Sequence, residues 1–167
     1  MRLLIYLLGS LFLISCSSAP KKNLKESIAL EEIIYQRTEG LLLLEKILHS
    51  SHCENTNMIC EKIKLFYAES QPEMLGLCTN KELNLTMATY EEINEDVEVL
   101  FQDSTTYADY LADKLLTNLH NQKKFYLQIL EDRELASLHM YTLDSYLQMM
   151  CFVDDMKYML DETYAVQ

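Results

Sequence analysis

The sequence predicts an all-α fold, a bundle of four to five helices supported by one or two disulfides. Three observations carry this reading. Apolar residues recur at steps of three and four from Ile28 onwards, as one buried helical face requires. Only 3 Gly and 2 Pro occur in 167 residues, too few for the tight turns of sandwiches, barrels or propellers. Cys53, Cys60, Cys78 and Cys151 form an even set of cysteines beyond the N-terminal segment, which suits disulfide pairing. With 49% hydrophobic and 24% charged residues, the chain has the composition of a single compact domain.

The first helix is expected over about 26–50, its face formed by Ile28, Leu30, Ile33, Ile34, Leu41, Leu44, Ile47 and Leu48. Arg37 falls inside that stripe, which implies a snorkelling side chain or a buried acidic partner. Gly40 at mid-helix signals close helix contact or a kink. A second helix is expected over about 57–69 on Ile59, Ile63, Phe66 and Tyr67. Ser70-Gln71-Pro72-Glu73 has the form of a capping box with Pro in the first turn, so a new short helical turn is expected there, leading to Gly76.

From Leu77 to the end there is no Gly or Pro, and one uninterrupted helix of that length would be a rod of about 135 Å. Polar stretches must break it. The best breaks are Cys78 to Lys81, Asp103 to Thr106 and Glu131 to Glu134. Thr89-Tyr90-Glu91-Glu92 and Thr106-Tyr107-Ala108-Asp109 look like caps of the third and fourth helices. Tyr90, Ile93, Val97, Leu100 and Phe101 give the third its face, and Leu111, Leu115, Leu119, Tyr126 and Ile129 the fourth. Between Tyr146 and Val153 only Gln148 is polar, so the last helix is expected to be surrounded by the others, with Leu147 and Met150 in the core.

A formal net charge of −12 argues against a nucleic-acid partner, which would be approached against the field of the whole protein. Gly9, Gly40 and Gly76 cannot write a phosphate loop or a dinucleotide fingerprint, so nucleotide chemistry of those kinds is excluded.

Residues 1–15 read as an export signal: Met1-Arg2 supplies a positive start, and Leu3 to Ile14 an apolar run too short to span a bilayer. Leu13-Ile14-Ser15-Cys16 resembles the lipobox of bacterial lipoproteins. The resemblance implies cleavage before Cys16, diacylation of its sulfur and acylation of its new amino group, and several acyl chains give stable anchoring. Ser17 in place of aspartate implies sorting to the outer membrane, with the domain facing the periplasm. Residues 16–24 then form the lipidated cysteine and a tether, and 25–167 the single helical domain. Without Arg2 the mature chain keeps 13 basic residues against 26 acidic ones, a charge of −13.

In an oxidising compartment the four remaining cysteines are disulfide candidates, and the sequence leaves their pairing open. Cys53 and Cys60 both fall near one end of the bundle, which would leave Cys78 for Cys151; one bridge with two buried thiols is the other arrangement. His49, His52 and Cys53 have the i, i+3, i+4 spacing of a zinc or copper half-site, with no second ligand cluster in sequence. His139-Met140 with Met149, Met150, Met156 and Met159 reads as core filler before soft-ligand binding, and no cofactor is expected. No nucleophile elbow or acid pair stands out, so no catalytic residue is assigned and the chain is expected not to be an enzyme.

Two features suit partner binding. Glu91, Glu92, Glu95 and Asp96 form an acidic run, and tyrosines, at 11 residues, crowd the last two helices, Tyr107 and Tyr110 among them. The plan of signal, tether and small helical domain is similar to that of the secretin pilotins. That resemblance implies an accessory lipoprotein that assembles or chaperones an envelope component. The alternatives are an immunity or exclusion lipoprotein that blocks a toxin, and a periplasmic metal or haem carrier.

Overall fold

The structure is a computed structural model and describes residues 19–97 and 104–165. Among these the chain is all-helical: α1 (Ala19–Ser50), α2 (Glu54–Cys78), α3 (Met87–Val97), α4 (Ser104–Glu131), a 3-10 turn (Arg133–Leu138) and α5 (His139–Ala165). None of the described helices is long and apolar enough to cross a membrane. The signal, Cys16, the Asp103 break and the Leu100 and Phe101 core positions lie outside the described residues. Helix α1 starts at Ala19, within the stretch read as a tether, so that stretch is helical from there on.

Four long helices form the bundle. The short link Ser51–Cys53 turns the chain back, so α2 descends beside α1. The link after α2 passes the lower end of α1, where Lys81 pairs with the buried Glu26 and the Asn84 amide donates to Glu31 Oε1 at 2.5 Å. Helix α3 then packs along α1, making this connection a crossover. Helix α4 runs antiparallel to α1, because Asn118 bonds to Gln36 and Glu39 at mid-helix while Lys25 pairs with Asp132 at the lower end. The 3-10 turn, capped by Asp132 accepting from the Glu134 amide at 2.9 Å, reverses the chain into α5. Helix α5 packs closely on α4 and more sparsely on α2.

The core holds Leu30, Ile33, Leu44 and Ile47 from α1, Ile59 and Ile63 from α2, Leu111, Leu115 and Leu119 from α4, and Met149, Phe152 and Met156 from α5. Helical periodicity located most of these. Ile28 and Tyr90 are exposed instead, at 56% and 45%. Helix α3 begins at Met87, two residues ahead of the expected Thr89 cap, with Thr86 Oγ1 accepting from the Thr89 amide at 3.2 Å.

Helix α2 is not broken at Ser70. It runs through Pro72, and Ser70 Oγ donates back to the Phe66 carbonyl at 2.7 Å instead of capping a new helix. Proline offers no amide to the carbonyl one turn earlier, and the turn it loosens is the one that Arg37 grips. Arg37 is neither snorkelling nor paired with an acid. It is 2% exposed and donates from Nη1 to Tyr141 Oη at 2.6 Å and Ser70 Oγ at 3.0 Å, and from Nη2 to the Tyr67 carbonyl at 2.7 Å. Its guanidinium lies 4.6 Å from the centroid of the Tyr67 ring, whose negative face offsets part of the desolvation. No carboxylate among the described residues lies within ion-pair distance of it.

The four described cysteines are free, which corrects the expectation of disulfides. Helical geometry explains why. Cys53 and Cys60 are seven positions apart along one helix axis, about 10 Å, beyond the roughly 7 Å Cα separation a bridge tolerates. Cys78 closes the lower end of α2, whereas Cys151 stands halfway up α5, next to the Phe152 that packs on Phe66.

Candidate functional site

The two sparsely packed helices, α2 and α5, leave a groove between them on the side away from α1 and α4. They meet along a line of antiparallel pairs: Lys62 with Asp155 at 3.7 Å, and Phe66 edge-on to Phe152 at 5.7 Å between ring centroids. On either side of this line the groove widens into a cavity. The upper one, about 240 Å³, is lined by Asn55, Met58, Ile59, Lys62, Asp155, Tyr158 and Met159. The lower one, about 310 Å³, is lined by Phe66, Glu69, Ser70, Glu73, Asp144, Leu147 and Gln148.

The walls continue outward as apolar surface. On α5, Met140, Leu143, Leu147, Met150 and Tyr158 follow each other along one side and are all exposed, Met140 at 74% and Tyr158 at 67%. On α2, Met58 and Leu65 form the facing rim. Cys151, one turn from both Leu147 and Asp155, shares this side of α5 and is exposed. This corrects the expectation that the last helix is surrounded. Leu147 and Met150 are surface residues, at 50% and 40% exposure, because α5 carries a second apolar stripe beside the one that fills the core.

The groove is acidic as well as apolar. Glu69, Glu73 and Asp144 rim the lower cavity, and Lys62, the one cation among the described lining residues, is already paired with Asp155. At the floor of the lower cavity Ser70 joins the surface to the buried polar core. That core runs from Arg37 through Tyr67 and Tyr141 to Gln122, which donates to Tyr67 Oη at 2.6 Å and to Asn118 Oδ1 at 2.6 Å. Burial pushes the phenol of Tyr67 up to about 12, and raises those of Tyr126 and Tyr141 as well, so all three stay neutral donors and acceptors.

The residues singled out by sequence stand elsewhere. Tyr107 and Tyr110 are half-buried and pack against the core, with Lys114 Nζ 5.3 Å from the Tyr110 ring centroid. Glu91, Glu92 and Glu95 are exposed on α3, and the Asp96 side chain lies outside the described set. The proposed His49, His52, Cys53 register is broken by the end of α1 at Ser50, which leaves His52 and Cys53 in the link to α2. Among the described residues no group of three His, Cys, Asp or Glu side chains is placed to hold a metal.

Each thiol has its own environment. Cys53 caps α2 from an exposed position, and the Thr56 hydroxyl, followed by the Thr56 and Asn55 amides, lowers its pKa. Cys60 is buried and pushed up to about 12 by desolvation, and Cys78, half-buried, is raised for the same reason. The sequence signal for the groove was present in α5, which has more apolar positions than one buried face uses. Comparison with known proteins gives no match for this chain: no family model, no curated protein and no solved structure.

Proposed function

We propose that this chain is a lipid-anchored accessory protein of a bacterial envelope, held through Cys16 on the periplasmic side of the outer membrane, and that it acts by binding another envelope protein. One observation carries the binding part: an exposed apolar groove between α2 and α5 edged by carboxylates. Apolar surface of that extent on one side of a small domain is costly to leave in water and is kept for a partner. The anchor rests on the lipobox-like Leu13-Ile14-Ser15-Cys16.

The test joins the two parts. In intact cells the chain incorporates labelled fatty acid, fractionates with the outer membrane and crosslinks to an envelope protein, and Cys16→Ser abolishes the labelling and releases the chain. Unchanged labelling in that variant contradicts the anchor. Turnover of a peptidoglycan, lipid or peptide substrate by purified protein that captures no partner contradicts the binding function.

A further inference from the structure

The groove has a direction. Its upper cavity is apolar, with Met58, Ile59, Tyr158 and Met159 around an ion pair already neutralised between Lys62 and Asp155. Its lower cavity sets Phe66 and Leu147 beside three carboxylates, Glu69, Glu73 and Asp144, and no cation among the described lining residues. An apolar wall with acids at its mouth suits the stem and head of a lysine or arginine, whose methylenes pack on ring and leucine while the charge meets carboxylates.

Resting on the binding function above, we propose that the α2/α5 groove receives an amphipathic helix of a partner protein. Its apolar stripe covers Met58, Leu65, Leu147 and Tyr158, and a basic residue enters the lower cavity between Glu69, Glu73 and Asp144. Backbone chemistry selects a helix. Both walls are helices whose amides and carbonyls are used internally, so an extended segment would find no sheet edge to pair with and would leave its own backbone unsatisfied.

Charge complementarity selects the partner. A second copy is disfavoured, since it would bring the same carboxylates, Glu69, Glu73 and Asp144, to the groove on a chain whose net charge is −12. An anionic lipid surface meets the same carboxylates and is repelled. A basic, apolar helix meets both features of the groove at once.

The test is photocrosslinking in the native envelope, using the full chain with p-benzoylphenylalanine at Met58, Leu147 or Gln128, the last exposed on α4 away from the groove. Expected are adducts from Met58 and Leu147 to one partner, on a segment with helical apolar spacing and Lys or Arg. The two adduct sites fall about twelve residues apart, the helical length that matches the separation of Met58 and Leu147 along the groove. The double variant Glu69→Lys, Glu73→Lys cuts the adduct yield about tenfold with an unchanged melting temperature. Glu69→Gln, Glu73→Gln, which keeps the shape, cuts it less and stands in if the lysines unfold the domain. The proposal is overturned by adducts to a second copy, by equal yields at Gln128 and in the groove, by an acidic or non-helical crosslinked segment, or by charge variants that leave the yield unchanged. Adducts from Gln128 alone overturn the groove and keep the binding function, whereas no adduct from any position contradicts the binding function itself.

Discussion

Arg37 Nη1 lies 3.0 Å from Ser70 Oγ, and this contact joins a buried cation to the floor of an open groove. On the inner side the guanidinium is held by the Tyr141 hydroxyl and the Tyr67 carbonyl. On the outer side a single hydroxyl separates it from the cavity rimmed by Glu69, Glu73 and Asp144. The cation sits behind the acids, which keep the mouth of the cavity negative.

Because oxygen acceptors and not a carboxylate hold Arg37, removing one acceptor tests the arrangement. Tyr141→Phe deletes the 2.6 Å bond inside the core and is expected to cost about 1.5–3 kcal/mol, the range for a hydrogen bond to a charged group. Ser70→Ala is expected to cost less, since water in the lower cavity can replace the hydroxyl. Urea denaturation measures both, and equal losses contradict the assignment of inner and outer sides.

The two helical glycines separate by what surrounds them. A Cβ at Gly40 would stand 3.0 Å from Asn118 Oδ1 and 3.0 Å from Tyr67 Oη, two atoms fixed by Gln122, whereas one at Gly76 meets nothing within 4 Å. Gly40→Ala is expected to lose about 1 kcal/mol despite better helix propensity, and Gly76→Ala to gain up to about 1 kcal/mol. Opposite shifts in melting temperature are the signature.

Alkaline pH reports on the polar core. The folded pKa of Tyr67 is raised from 10.0 to about 12, so its contribution to stability is complete below the unfolded value and is lost as pH rises from about 10 to about 12. Tyr126 and Tyr141 shift in the same direction. Tyrosinate absorbance is therefore expected to rise in two stages, exposed phenols first and the buried three together with unfolding. Titration of Tyr67, Tyr126 and Tyr141 near pH 10, with the helix content retained, contradicts the burial.

Core and groove stripes on α5 are separated by single truncations. Met149, fully buried, is expected to cost about 2–5 kcal/mol on replacement by Ala, whereas Leu147→Ala, on the groove, costs under about 1 kcal/mol and weakens partner binding instead. Comparable destabilisation by the two would return Leu147 to the core.

The helical class and most core faces were legible because periodicity is a local property of the chain. Leu111, Leu115 and Leu119, or Ile59 and Ile63, are buried where their spacing puts them. What escaped depends on other parts of the chain. Ser70 and Pro72 write a local helix start, yet Arg37 from another helix supplies bonds to that turn and α2 continues through it. The apolar run at Leu147 and Met150 indicates burial but not by what, and among the described residues nothing covers its outer stripe. Cysteine number suggested bridges, but proximity is set by helix register, which an even count does not contain.

Occupancy of the groove is measured most directly by the thiols. Cys151 and Cys53 are both exposed, one on the groove side of α5 and the other at the tip of the bundle, while Cys60 is buried with its thiol pushed up to about 12. In purified protein, brief alkylation with N-ethylmaleimide is expected to modify Cys53 and Cys151, Cys53 faster because its pKa is lowered, and to spare Cys60. In intact cells the partner helix should cover Cys151, so that its modification relative to Cys53 falls several-fold, and Glu69→Lys, Glu73→Lys restores it. An identical Cys151 to Cys53 ratio in cells and in purified protein would show the groove open to solvent and contradict the account.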